Sequence, residues 1–278
     1  MNGIEALSRG DLAGFAAANG WQHLETATMP ASTGGEQLFQ GAPHDVIRGA
    51  GWEVGRLRGG TTSSSRSGRF LGIPYASYST QTIPLDAIDV GYLAVRLARR
   101  LPHIVLDAPG NEDLLNRLFR GRWRGDRAFD LGGEFADRFR LYVPEGYERD
   151  ALYVLSPALM ALLIDEAGDL DVEIRDDHLF IYQPRGWDLS DVAVWDRIGR
   201  LYATVGTLTW DQTDGYYDDR LDARVRELVP LGDVAEPGRR VGPRMRSPLA
   251  LKLTIALGVG FLLIALLGER LMRMLIGI

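Results

Sequence analysis

Apolar and polar positions alternate with two different periods along this chain, and one stretch does not alternate at all. Ser8–Ala18 puts Leu12, Phe15 and Ala16 on one side of a short helix that Asn19-Gly20 stops. Residues 21–50 have no period and contain turn formers at Ser32-Thr-Gly-Gly and Gly41-Ala-Pro, so irregular backbone is expected there. Trp52–Leu57 alternates as a half-buried strand does, and the Ser/Thr/Gly-rich Gly59–Gly68 predicts a flexible loop between antiparallel strands. Phe70–Tyr78, Gly91–Leu97 and the short Ile104–Leu106, which follows Pro102, continue the strand pattern. Asn111–Arg120 predicts one or two helical turns.

The centre is more regular. Phe135 and Phe139 bracket a turn, after which Phe139–Val143 and Ala151–Leu155 are predicted strands. Ser156-Pro157 supplies an N-cap and a proline at the first helical position, ahead of an apolar helix Ala158–Ala167 that Gly168 closes. Asp171–Arg175 and His178–Tyr182 predict a hairpin turning at Asp176-Asp177, with Val172 and Ile174 on one face and Leu179 and Ile181 on one face of the partner. A long helix opens at Asp188 and runs through about Tyr202 or beyond, with Val192, Trp195, Ile198 and Tyr202 at helical spacing. Residues 222–247 lose periodicity and gain Pro230, Pro237 and Pro243, the composition of a linker. The fold class expected is α+β: mostly antiparallel sheet with packed helices, plus one C-terminal transmembrane helix.

That last element is the stretch without alternation. From Leu253 to Gly268 the only polar side chain is Thr254, and extension back to Pro248 adds only Lys252. As a helix, residues 248–268 would span roughly 30 Å, about the hydrocarbon thickness of a bilayer. An interfacial amphipathic helix would carry a charged face throughout, and this stretch has none. A buried core helix rarely carries so long an apolar run with arginines at both ends. The anchor residues are Leu253, Ile255, Leu257, Phe261, Leu262, Leu263, Ile264, Leu266 and Leu267. Basic residues Arg239, Arg240, Arg244, Arg246 and Lys252 crowd the preceding flank, which places the N-terminal side in the cytoplasm by the positive-inside bias. No basic segment followed by an apolar one opens the chain, so no secretory signal is visible. The expected division is an α+β domain over 1–221, with a subdomain break near 110–128, a linker over 222–247, a transmembrane helix over 248–270 and a tail over 271–278.

Composition sharpens this. The net charge is −6, but residues 239–278 hold seven basic side chains against one acid, which leaves −12 on residues 1–238. An acidic body above a basic collar suits anionic lipid headgroups and not nucleic acid. With no cysteine there is no disulfide, thiol nucleophile or thiolate metal site. The one lysine, Lys252, lies in the apolar stretch, so neither a phosphate-loop nor a Schiff-base lysine exists in the body.

Candidate chemistry is sparse. His23, His44, His103 and His178 fall in four separate segments, with no paired spacing for zinc. Acids crowd one corner, Asp165, Glu166, Asp169, Asp171, Glu173, Asp176 and Asp177, and a second group, Asp211, Asp214, Asp218 and Asp219, follows the last helix. Such carboxylates are candidate ligands for Ca²⁺ or Mg²⁺, with Asp169, Asp171, Asp176 and Asp177 the named set; solvated turns have the same composition. Glu134 with Asp137, and Asp176-Asp177 with His178, are candidate acid–base pairs that plain turns would equally produce. Arg120, Arg122, Arg124 and Arg127 around Trp123 are either a phosphate or headgroup patch or a solvated loop. No catalytic residue or cofactor is assigned.

Three strings are familiar: Asp130–Pro144, Tyr147–Met160 and Asp171–Tyr182, together with Gly55, Arg96–Asp107 and Phe15–Trp21. They resemble a family of uncharacterised membrane-anchored bacterial proteins, frequent in actinobacteria and classed as a domain of unknown function. Its pattern is a Gly-Asp/Glu-Phe turn, a Phe-x-Val/Leu-Tyr strand, Ala-Leu-Tyr-x-Leu-Thr/Ser-Pro before a helix, and an acidic hairpin. The resemblance covers about two-thirds of the chain. It implies membrane attachment and supplies no active-site residues.

The function expected is therefore a single-pass, membrane-anchored cytoplasmic module that binds a protein partner and the lipid bilayer. The alternatives are a membrane-bound metal-assisted hydrolase using Asp165–Asp177, or a headgroup-binding module. After ultracentrifugation of lysed cells the full-length product is expected in the membrane pellet, and protease added to intact cells should leave the body uncut; recovery in the supernatant would remove the anchor.

Overall fold

The computed structural model describes residues 2–30, 41–70, 73–84, 86–111, 129–221 and 233–241. The apolar stretch 248–270 and the Arg120–Arg127 patch lie outside them. Among the described residues no helix is long and apolar enough to cross a membrane.

The chain is α+β, built on one antiparallel sheet. Its strands are β1 (Gln22–Thr26), β2 (Ala42–Gly49), β3 (Trp52–Arg58), β6 (Asp89–Asp107), β7 (Arg140–Tyr142) and β8 (Asp171–Pro184). The order is β1-β2-β3-β6, with β3 and then β7 along one side of β6 and β8 along the other. Between β3 and β6 a separate ribbon, β4 (Gly60–Phe70) with β5 (Ile73–Ile83), pairs along its whole length. Segments expected to be irregular thus hold β1 and β2, and the expected Gly59–Gly68 loop is mostly strand. Ser and Thr carry almost no apolar signal, yet their backbones ladder as well as any others.

One face of the sheet is covered by helices: α1 (Ile4–Ser8), α2 (Leu12–Ala18), α3 (Gly133–Arg138), α4 (Glu148–Val154), α5 (Pro157–Ala167), α6 (Val192–Leu201) and α7 (Thr207–Thr213), the last two joined by a π-turn at Tyr202–Gly206. Caps fix their starts. Asp11 accepts from Gly14 N–H at 2.8 Å, Ser156 Oγ from Leu159 at 3.3 Å, and Asp191 from Ala193 at 2.9 Å. Of residues 151–155, expected as a strand, 151–154 complete α4 and Leu155 caps it. Ala151 and Val154 point inward and Leu152 and Tyr153 outward, a helical spacing that so short an apolar run could not declare. The main core joins Leu93, Val95, Ile104, Val172, Ile174, Leu179 and Ile181 of the sheet to Leu159, Leu163, Trp195 and Leu201 of the helices. Phe15, Trp21, Trp52 and Trp195 pack ring on ring, with centroids 4.9–5.7 Å apart, and so hold the N-terminal helices to this core.

The expected hairpin at Asp176-Asp177 is instead one strand of 14 residues, and the two strands expected over 91–106 are one strand of 19. These two long strands pair with each other throughout, with register shifts between Arg96 and Leu101 and between Leu101 and Ile104. Asp176, at φ 53°, lies at this irregularity and not in a turn; the extra residues are on β6, where 96–104 runs opposite 178–174. The inward set passes from even positions (172, 174) to odd (179, 181) on β8, and from odd (93, 95) to even (104, 106) on β6. The ribbon bends sharply here. Tyr182 O–H bonds Glu173 at 2.6 Å although nine residues separate them, a span of about 30 Å in a straight strand.

Gly91 sits where this ribbon meets Trp187. A Cβ there would lie 2.4 Å from the buried indole ring. Gly91→Ala is expected to cost about 1–3 kcal/mol, read as a lower urea midpoint at unchanged slope.

Candidate functional site

The bend closes the concave side of the ribbon, its hollow, around a second packed cluster that includes Leu57, Val90, Tyr92, Ala94, Val105, Phe180 and Tyr182. Charged groups are buried with them. Glu173 is fully buried and uses both carboxylate oxygens, one with His103 Nε2 at 2.7 Å and the other with Tyr182 O–H at 2.6 Å. His103 Nδ1 accepts from Val241 N–H at 2.8 Å, so its hydrogen is on Nε2 and that nitrogen donates to Glu173. Burial alone would push the Glu173 carboxyl up. The Arg175 guanidinium 3.8 Å away and the two donated bonds outweigh it and hold the group below the usual range. Burial also lowers His103, against the pull of Glu173. The pair is thus a carboxylate with a neutral imidazole. Arg175 lies 4.9 Å from the centre of the Phe180 ring. Farther along the same face, Glu53 takes Tyr92 O–H at 2.7 Å and an Arg48 fork at 2.6 and 2.8 Å.

A second constellation lies on the helical side. Tyr147 O–H donates to Asp218 at 3.0 Å and Tyr216 O–H to Asp150 at 2.8 Å. Arg220 bridges Asp150, Asp218 and the Gly146 carbonyl, and its guanidinium stacks 4.0 Å from the centre of the Tyr147 ring. Burial, together with the neighbouring aspartates, raises both phenols, so they stay donors. Above this floor is a cleft of about 320 Å³ lined by Arg149, Tyr153, Tyr216, Tyr217 and Asp219. The Tyr153 and Tyr217 rings are 43% and 46% exposed, and Asp219 is 85% exposed.

The four aspartates offered as metal ligands do not converge. Asp169 pairs with Arg197 at the surface, Asp176 takes a fork from Arg240 at 2.9 and 3.1 Å, and Asp177 bonds His178 at 2.9 Å. The His178 bond, ahead of the Arg96 charge, holds Asp177 below its ordinary range. Asp171 is buried, accepting from Ala108 N–H at 2.8 Å. Among the described residues no group of three or more His, Asp or Glu is set to hold a metal ion. Glu134 and Asp137 are both exposed on α3. Of the basic collar, Arg239 pairs with Asp233 at 2.8 Å and Arg240 with Asp176; Arg244, Arg246 and Lys252 lie outside the described residues, as does every anchor residue. Residues 233–241, within the stretch read as linker, bury Val234 and Val241 against the sheet and α4 region.

The Glu173 network was missed because Glu173 and Arg175 alternate with Val172 and Ile174, the usual signature of a solvated face. Only the bend, which encloses that face, makes them interior.

Desolvation pushes Asp171 up to about 8, with the bonds from Ala108 and Asn111 opposing it, and its Oδ2 has no hydrogen-bond partner. The folded chain therefore holds a proton that the unfolded chain releases, and stability falls as pH rises between about 4 and 8. Asp171→Asn keeps the acceptor for Ala108 and removes the titration. Its stability relative to the parent is expected to rise by about 2 kcal/mol between pH 4 and pH 9, read from urea denaturation across pH.

No family model and no curated protein matches the chain. Among solved structures it is similar to the crystal structure of the mycobacterial trehalose monomycolate transport factor A, TtfA, at 14% identity and a TM-score of 0.39, covering 75% of this chain and 94% of that one. A score so low carries no argument about fold or function.

Proposed function

We propose that this chain is a protein-interaction module held at a membrane by its apolar stretch 248–270, with the tyrosine cleft between α4 and the end of α7 as its docking surface. The observation that carries the reading is the cleft itself. Its floor is fixed by the Asp150–Tyr216–Arg220–Asp218 bonds, so Tyr153 and Tyr217 are presented on a rigid base. Tyrosine and arginine on a fixed support are the side chains that dominate binding energy at protein interfaces, because they bury large area for little lost freedom. Leu152, next to Tyr153 in α4, is also exposed, at 47%. The membrane part of the proposal is supported by the length and apolarity of residues 248–270 and by the arginines before them.

A photo-reactive phenylalanine placed at Tyr217 tests the surface in native membranes. A discrete protein adduct is expected, weakened at least about tenfold by Tyr153→Ala with Leu152→Ala. Adducts to lipid alone, or an adduct indifferent to those changes, would overturn the assignment.

A further inference from the structure

Residues 233–241 lie across the body as a strap. Ala235 N–H donates to Asp218 at 2.9 Å, Arg239 and Arg100 both reach Asp233, and Arg240 forks onto Asp176. Gly238 lies flat on Tyr147, so closely that an added Cβ would be 2.3 Å from its ring. The last bond is Val241 N–H to His103 Nδ1, buried at 2.8 Å.

That bond differs from the others in kind. Carboxylates keep their arginines until well below neutral pH, whereas an imidazole lone pair is lost to one proton within a unit or two of pH 6.5. A protonated His103 has no acceptor left, and its Nδ1–H would face the Val241 N–H directly. We propose that residues 233–241 form an acid-released strap, docked while His103 is neutral and let go at its Val241 end when the imidazole takes up a proton.

The charges around His103 set the direction. Glu173 and Tyr182 O–H face it from β8, Arg175 also from β8, and Arg240 from the strap itself. Glu173 favours the proton; burial, Arg175 and Arg240 disfavour it, and the net effect is a lowered affinity for it. The docked state then binds fewer protons than the released one, so docking is fully stable above pH 6.5 and weakens as pH falls below it. Release of this bond frees the Val241 end, while the Arg240 fork on Asp176, the Arg100–Asp233 pair and the Ala235 bond to Asp218 still hold the rest of the strap. The release does not depend on the membrane reading.

Amide hydrogen exchange on the full-length protein in detergent, at about pH 7.5 and pH 5.5, tests this. After correction for intrinsic rates, the Val241 amide is expected to lose at least about tenfold in protection at the lower pH, while amides of 89–107 and 171–184 keep theirs. His103→Asn places an untitratable oxygen where Nδ1 was and should keep the Val241 amide protected at both values. Should that variant fail to fold, the ring nitrogen shifts of the parent decide: neutral with hydrogen on Nε2 at pH 7.5 supports the strap, and hydrogen on Nδ1 refutes it. Equal Val241 protection at the two pH values, or the parent's loss reproduced in His103→Asn, also refutes it.

Discussion

The carboxylate of Glu173 is the group on which the second face of the sheet depends. Taking an ion out of water costs several kcal/mol even after relaxation, and that cost is met only where each oxygen finds a donor and a countercharge stands near. Here His103 and Tyr182 bond the two oxygens and Arg175 supplies the charge. Tyr182 can reach only because the β6–β8 ribbon folds over at Asp176. The bend and the ion therefore require each other: a straight ribbon would leave Glu173 without its phenol, and an unpaired Glu173 would favour opening the bend to water.

This mutual dependence extends to the strap. His103 has two nitrogens, and Glu173 fixes which carries hydrogen. The other is then an acceptor in an apolar hollow, a group that would itself be costly to leave unmet. Val241 N–H meets it. At the other end of the strap, Asp218 accepts from Ala235 and from Tyr147, so the strap joins the polar network of the hollow to the one beneath the tyrosine cleft. The two constellations are parts of one structure linked through nine residues.

Sequence pattern and structure agree where local chemistry decides. Ser156-Pro157 caps and starts its helix, and Val192, Trp195 and Ile198 share a face as their spacing requires. They part where long-range pairing decides. Asp176-Asp177 has the composition of a tight turn, but both flanks find partners on one 19-residue strand, so a bulge costs less than a reversal. Residues 151–155 read as strand because five apolar-rich positions fit either period. The cleft had no sequence signal beyond tyrosines at 153, 216 and 217, which are far apart until α4 and the end of α7 meet.

The two constellations also differ in what a binding partner would have to displace. In the hollow, Glu173 has both oxygens bonded and Nδ1 of His103 is taken by Val241, so an incoming group must break a made bond before making its own. Each such buried loss costs about 1–3 kcal/mol. At the cleft the Asp150, Asp218 and Arg220 bonds lie in the floor, and Tyr153 and Tyr217 are both partly open to water already. Covering them removes apolar surface from water at about 25 cal/mol per Å². A partner gains by contact at the cleft and loses by entry into the hollow, which is why the buried network is read as scaffold and the tyrosines as the surface it supports.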